Sequence, residues 1–278
     1  MPAPYSRVAI IDMYDGFANQ GMRSILEIID IYSLQNDADI EYQVFNTRGN
    51  AEVPGLDFDL YISTGGPGSP LDSEGSLWEE RFFKLMDAIM RHNELCPDNK
   101  KSVFLICHSF QLFCRHYGLA HVSLRKSTSF GIMPIHKTET GKTEPLFEDL
   151  NNPFWAVDSR DYQVTKPNTE RIKAMGGAVL CIEKFRPHVP LERAIMSIRF
   201  NDAIIGTQFH PEADPYGFAH YLQIEEKRNL LIKQHGEQKY FDTLIHLEDP
   251  DKIVQTRNTI LPKFLDMTIR ASNEVLVF

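Results

Sequence analysis

The stretch Ser102-Val103-Phe104-Leu105-Ile106-Cys107-His108-Ser109-Phe110-Gln111 decides the fold class of this chain. Its first five residues make a short apolar run of strand length, and Phe110, Leu112, Phe113 and Tyr117 continue with helical spacing. A cysteine therefore stands where a buried strand stops and an amphipathic helix starts. A thiol on the first turn of a helix faces unpaired backbone N–H groups and the positive end of the helix dipole, surroundings that favour a thiolate. Packing alone gains nothing from that placement, although cysteine is among the residue types most often buried.

Working outward, the same alternation of strand and helix repeats. Val8–Asp12, Tyr42–Phe45 and Leu60–Ser63 read as strands, while 22–32 and 77–92 carry apolar stripes of helical period. Such alternation predicts an α/β fold with a parallel sheet covered by helices on both faces. From Phe130 the strands shorten and crowd together, at 130–135, 154–157, 163–165, 178–183, 195–200 and 203–209, with Asn201-Asp202 as a hairpin turn between the last two. The expectation is a mixed, mostly parallel central sheet that ends in antiparallel strands. Residues 216–278 read as helical, an extension packed on a first domain of residues 1–215 or, alternatively, a docking or dimerisation element. Asp249-Pro250 predicts a helix start there, and Pro262 a kink or an end.

Two further segments carry chemistry. Thr64-Gly65-Gly66-Pro67-Gly68-Ser69-Pro70 follows a strand directly, and glycines let backbone N–H groups approach a ligand closely. No Gly-Lys-Ser/Thr follows, so it is not a phosphate-binding P-loop. Gly206-Thr207-Gln208-Phe209-His210-Pro211-Glu212 puts an imidazole and a carboxylate two residues apart at the end of an apolar run. An imidazole can take a thiol proton, and a carboxylate on its other nitrogen fixes its tautomer. Taken singly, a core cysteine, a plain turn and a satisfied polar histidine would explain the three features.

The bulk composition narrows the field. A formal net charge of -9 over 278 residues, with no basic face, argues against a nucleic-acid partner. The four cysteines, Cys96, Cys107, Cys114 and Cys181, fit no zinc spacing, so no metal and no cofactor is expected. No leader pattern or apolar run long enough to span a membrane is evident, which makes a reducing cytoplasm the expectation.

In that order the Gly-Gly-Pro-Gly loop, the cysteine elbow with Gln111 four residues on, and Gly-x-Gln-Phe-His-Pro-Glu resemble the class I glutamine amidotransferases of the Cys-His-Glu triad type. The likeness covers roughly residues 6–213, and its triad segments look like those of the amidotransferase domain of GMP synthase. The resemblance implies a flavodoxin-like fold and hydrolysis of the glutamine side-chain amide. Cys107 would be the nucleophile, His210 the base and Glu212 its orienter, with the backbone N–H groups of Gly66 and His108 as oxyanion hole. It further implies that Gly68 and Gln111, and more loosely Ser159, Asp161 and Tyr162, hold the substrate. The substrate would be L-glutamine or a γ-glutamyl compound, and a separate synthetase subunit would take the ammonia. Nothing in the chain resembles the Ser-Gly-Gly-x-Asp-Ser loop of the ATP pyrophosphatase domain that GMP synthase carries. A homo-oligomer is left open.

The elbow departs from the family pattern: Leu105 and Ser109 stand where glycine is usual. Strand end and first helical turn approach closely there, so Ser109 is small enough to be tolerated, while Leu105 either fits against a shrunken neighbour across the turn or distorts the elbow. Two other readings stand beside the amidotransferase: a γ-glutamyl hydrolase or peptidase that needs no partner, and a catalytically impaired binding or regulatory homologue.

Overall fold

The computed structural model describes residues 5–17, 19–188, 190–249 and 251–275. The first half runs β1 (Tyr5–Asp12), α1 (Gln20–Asn36), β2 (Asp39–Asn46), the short α2 (Thr47–Asn50), β3 (Leu60–Ser63), α3 (Leu77–Leu95), β4 (Ser102–Ile106) and α4 (His108–His116). Next come β5 (His121–Lys137), the short α5 (Glu139–Lys142), β6 (Phe154–Thr165), α6 (Thr169–Ala174), β7 (Ala178–Glu183), β8 (Ile195–Arg199) and β9 (Ile204–Thr207). Four helices close the chain: α7 (Pro215–Gln223), α8 (Glu225–His235), α9 (Glu237–Glu248) and α10 (Ile253–Val275).

Among the described residues nine strands form one sheet in the order β2-β1-β3-β4-β9-β8-β7-β5-β6. The pairs from β2 to β9 are parallel and those from β9 to β6 antiparallel. The sheet is mixed as expected, and β8 and β9 form the hairpin around Asn201, whose Oδ1 accepts the amides of Ala203 and Ile204. Successive strand residues point to opposite faces, and both faces are covered. Val8, Ile10, Ile62, Phe104 and Ile106 meet α1 and α10 on one side. Ala9, Ile11, Tyr61, Val103 and Leu105 meet α3 and α4 on the other. That double burial is why these strands read as unbroken apolar runs.

Three expectations need correction. The separate strands at 154–157 and 163–165 are one strand, β6, and residues 130–135 are only part of β5. The polar residues between them read as loop because charged side chains interrupt the apolar pattern. Asp158 accepts from Arg160 Nε at 2.7 Å and from Ser129 Oγ at 2.6 Å, so charged side chains sit buried in a strand. The last helix begins at Ile253 rather than at Pro250, which lies outside the described residues; Asp249 Oδ1 instead accepts the Asp251 amide in a turn. Pro262 does not end that helix, which continues to Val275. Its apolar stripe of Ile260, Leu261, Phe264, Leu265 and Ile269 is buried in the α1-side core, with Phe264 edge-on to Phe104 at 5.1 Å. Burial of that stripe offsets the hydrogen bond that proline removes.

Candidate active site

Two strand ends build the site. β4 and β9 are parallel neighbours, so the residues that follow them emerge side by side at one edge of the sheet. Cys107 follows β4 with φ 47° and ψ −93°, a conformation that costs a non-glycine residue on the order of 1–3 kcal/mol. Its amide donates to Thr207 O at 2.7 Å and its carbonyl accepts from Gln111 N at 3.0 Å, which ties the turn to β9 and to α4. Cys107 is 5% exposed.

The elbow accommodates both departures from the glycine pattern. Leu105 pairs in register with Gly206, whose missing side chain leaves the room that Leu105 needs; a Cβ there would stand 3.3 Å from Leu105 Cβ and 2.7 Å from the Phe110 ring. Ser109 is fully buried, and its hydroxyl sits 2.7 Å from Ser63 Oγ and 2.6 Å from Thr64 O. The residue that replaces the second glycine thus fastens α4 to the end of β3.

After β9 the chain turns so that His210 N donates to Val157 O at 2.9 Å. His210 Nδ1 then meets Glu212 Oε1 at 2.8 Å, which leaves the other ring nitrogen for the thiol side. The ring and the cysteine lie against the same glycine: a Cβ on Gly65 would be 2.9 Å from His210 Cε1 and 3.6 Å from Cys107 Cβ. Burial opposes charge on His210, but the Glu212 carboxylate, the Cys107 sulfur and hydrogen bonds to both raise its pKa well above the ordinary histidine value. Sulfur, imidazole and carboxylate are therefore brought together.

Neither the Gly66 nor the His108 amide is among the turn and loop amides that donate to a backbone carbonyl of the described residues. A Cβ on Gly66 would strike the Met13 carbonyl, so only glycine fits. Burial, with Arg48 and Arg115 adding to it, lowers the His108 ring to about 3 and keeps it neutral. Gly68 has φ 83°, and Arg48 braces the loop by donating to Pro67 O at 2.5 Å. Gln111 is buried, its Nε2 donating to Gln208 Oε1 at 3.1 Å and to Tyr162 O at 3.4 Å. Ser159 O lies 3.9 Å from Cys107 Sγ, and Asp161 Oδ1 accepts from Thr128 Oγ1 at 2.5 Å. Ser159 and Tyr162 thus reach Cys107 and Gln111 through their backbone carbonyls, whereas Asp161 is engaged with Thr128.

Sequence reasoning passed over three neighbours. Gln208, inside the quoted motif, donates from Nε2 to Cys107 Sγ at 3.5 Å and so links the thiol to Gln111. Arg48 comes from a short helix with no motif. Tyr14, just past β1, is 4% exposed with no partner for its hydroxyl, and Glu212 Oε2 is likewise unpaired. Both flank Gly21, where a Cβ would run into the Tyr14 hydroxyl and stand 3.1 Å from Glu212 Oε1.

Among the described residues no group of three or more His, Cys, Asp or Glu is arranged to hold a metal ion, and no helix is long and apolar enough to cross a membrane. A mixed sheet with a strained cysteine elbow beside a His–Glu pair is the framework of a cysteine-dependent amide hydrolase. The class-I glutamine amidotransferase family matches residues 9–225, and the chain belongs to that family. Among solved structures it is similar to a glutamine amidotransferase from Thermotoga maritima, at 14% identity and a TM-score of 0.66 over 95% of this chain and 98% of that one. A glutamine amidotransferase from Methylobacillus flagellatus matches at 11% identity and a TM-score of 0.57, over 98% and 95% of the two chains. The glutaminase domain of Trypanosoma brucei CTPS, with acivicin bound, matches at 14% identity and a TM-score of 0.52, over 74% and 86%. Curated protein sequences show no match.

Proposed function

We propose that this chain hydrolyses the side-chain amide of glutamine through a glutamyl thioester on Cys107 and hands the ammonia to a synthetase on another chain. The Cys107 sulfur attacks the amide carbon while its proton passes to His210; the tetrahedral oxyanion is held by the Gly66 and His108 amides. Collapse breaks the C–N bond, and His210 protonates the departing nitrogen to give ammonia. Water, deprotonated by His210, then cleaves the thioester to glutamate and the free thiol. Glu212 orients the imidazole and offsets its charge. Gly68, Gln111, Ser159, Asp161 and Tyr162 border the place the substrate would occupy.

One observation carries this reading: the 2.8 Å bond from His210 to Glu212 beside a cysteine held at φ 47°. A backbone strained at one residue and a paired imidazole next to it are costs that a binding scaffold has no need of. The test is ammonia and glutamate release from glutamine by the purified chain, wild type against Cys107→Ala. The wild type releases both, and Cys107→Ala releases neither. Faster turnover of γ-glutamyl peptides than of glutamine would replace the proposal with a γ-glutamyl hydrolase. No turnover of either, with no alkylation of Cys107 by a glutamine-like diazoketone, would refute catalysis. Stimulation by lysate of the source would support a separate synthetase.

A further inference from the structure

Glu212 is held from behind as well as from the front. Its side chain faces His210, while its backbone carbonyl accepts a hydrogen bond from Ser24 Oγ on α1. That hydroxyl in turn accepts from Arg257 Nε on α10 at 3.3 Å. A guanidinium only donates, so the Ser24 proton is directed away from Arg257, with Glu212 O as the nearer acceptor and Asp214 Oδ2 as the other. Asp214, two residues beyond Glu212, lies 3.3 Å from the same hydroxyl and 4.0 Å from Arg257 Nε, and its Oδ1 caps α7 at Gly217 N. Arg257 Nη2 also pairs with Glu27 on α1 at 2.7 Å, and Arg23 bridges Glu27 and Asp214. Ser24 is 1% exposed and Glu212 1%, so the end of this relay next to Glu212 is shielded from water, while Glu27 lies at the surface.

We propose that Arg257, on the last helix, is a positioning residue for the triad: through Ser24 it fixes the Glu212 peptide and thereby the carboxylate that orients His210. The proposal rests on the role given to Glu212 above. Docking of α10 does not need Arg257, because Ile260, Leu261, Phe264, Leu265 and Ile269 already bury the helix. The guanidinium is instead placed where α1, α10 and the loop carrying Glu212 meet, so seating of the C-terminal helix is coupled to alignment of the triad. The titratable groups bearing on His210 are Glu212 and Cys107, with Tyr14 against Glu212.

The experiment compares the full chain with Arg257→Met, Arg257→Lys, Ser24→Ala and the Arg257→Met/Ser24→Ala pair. Lys263→Met, a change at an α10 residue paired with Glu148 and Asp149, serves as control. Glutamine turnover and an NMR titration of the His210 ring are read together, alongside thermal melting. Arg257→Met is expected to lower kcat about tenfold with KM within about twofold, and to move the His210 titration to lower pH. Ser24→Ala does the same, and the pair is no worse than either alone. Arg257→Lys recovers part of the loss, and Lys263→Met changes neither readout. An unmoved His210 titration in Arg257→Met, or losses that add in the pair, overturns the proposal. The titration needs no turnover: a shifted titration in a protein that releases no ammonia would uphold the positioning role and refute the catalytic reading instead.

Discussion

Leu105 and Gly206 face each other across the parallel β4–β9 pair, so the side chain that is bulky at the elbow is matched by one that is absent. Leucine at the strand end is thus part of the packed face with Phe110 and Phe200 rather than a distortion of the turn. Gly206→Ala is expected to cost about 1–3 kcal/mol, because the added carbon meets ring atoms of Phe110 and Phe200 at 2.7 and 3.2 Å. Leu105→Gly, which restores the residue usual in the family, is expected to destabilise by at least about 3 kcal/mol through the cavity it leaves. Urea denaturation of both variants measures this, and a Leu105→Gly protein as stable as wild type would contradict it.

Gly65 separates the ring of His210 from the backbone of the neighbouring loop. Its φ is not positive, so alanine is tolerated by the backbone, but the new Cβ would stand 2.9 Å from His210 Cε1. Gly65→Ala is expected to lower kcat on the order of 10²-fold by displacing the ring, with a much smaller change in melting temperature. Steady-state kinetics beside a melting curve separates the two effects.

The pH profile follows from His210. Its pKa is raised in the folded protein, so the imidazolium that protonates ammonia persists to higher pH than an ordinary histidine would allow. As the base that takes the thiol proton and later a proton from water, His210 must be neutral, so activity falls as pH drops through that raised value. Glu212→Gln removes the carboxylate that raises it, so the acidic limb of kcat/KM moves to lower pH; an unmoved limb would refute the assignment. The sign for stability is opposite. The His210 contribution is fully present below its unfolded pKa and disappears as pH rises through the folded one. His108, lowered to about 3, stays neutral throughout and adds no limb.

Asp158 and Arg160 form an ion pair whose side chains are 2% and 1% exposed. Asp158→Ala leaves the guanidinium buried with only Glu183, at 3.7 Å, as carboxylate partner. A loss of about 3–5 kcal/mol is expected, read from chemical denaturation. Because Ser159 and Tyr162 border Cys107 and Gln111, the same variant is also expected to raise KM for glutamine.

Much of this molecule is visible in one dimension. Leu60–Ser63, Ser102–Ile106 and Ala178–Glu183 are strands with the bounds their apolar runs suggest, and Cys107 lies at the junction its neighbours announce. β5 and β6 were harder to read, because their hydrophobic pattern is interrupted by Arg125, Asp158 and Arg160. Asp158 pairs with Arg160 and Ser129, Arg160 also lies near Glu183, and Arg125 pairs with Glu183 and Gln163, so the partners span three strands. Tyr14, Arg48 and Arg257 carry no local signature at all, and each bears on the site from a different element.

By itself the sequence determined the alternation of strand and helix, the place of Cys107 at a strand-to-helix turn and the spacing of His210 and Glu212. Those depend on neighbours a few residues apart, through periodicity and the dihedral preferences of a strand-to-helix turn. Only the tertiary structure decided that Gly206 makes room for Leu105, that Gln208 rather than solvent meets the thiol, and that Arg257 reaches Glu212 through Ser24. Such contacts join residues dozens to hundreds of positions apart, and strand order and side-chain packing, which no short window of sequence contains, set them.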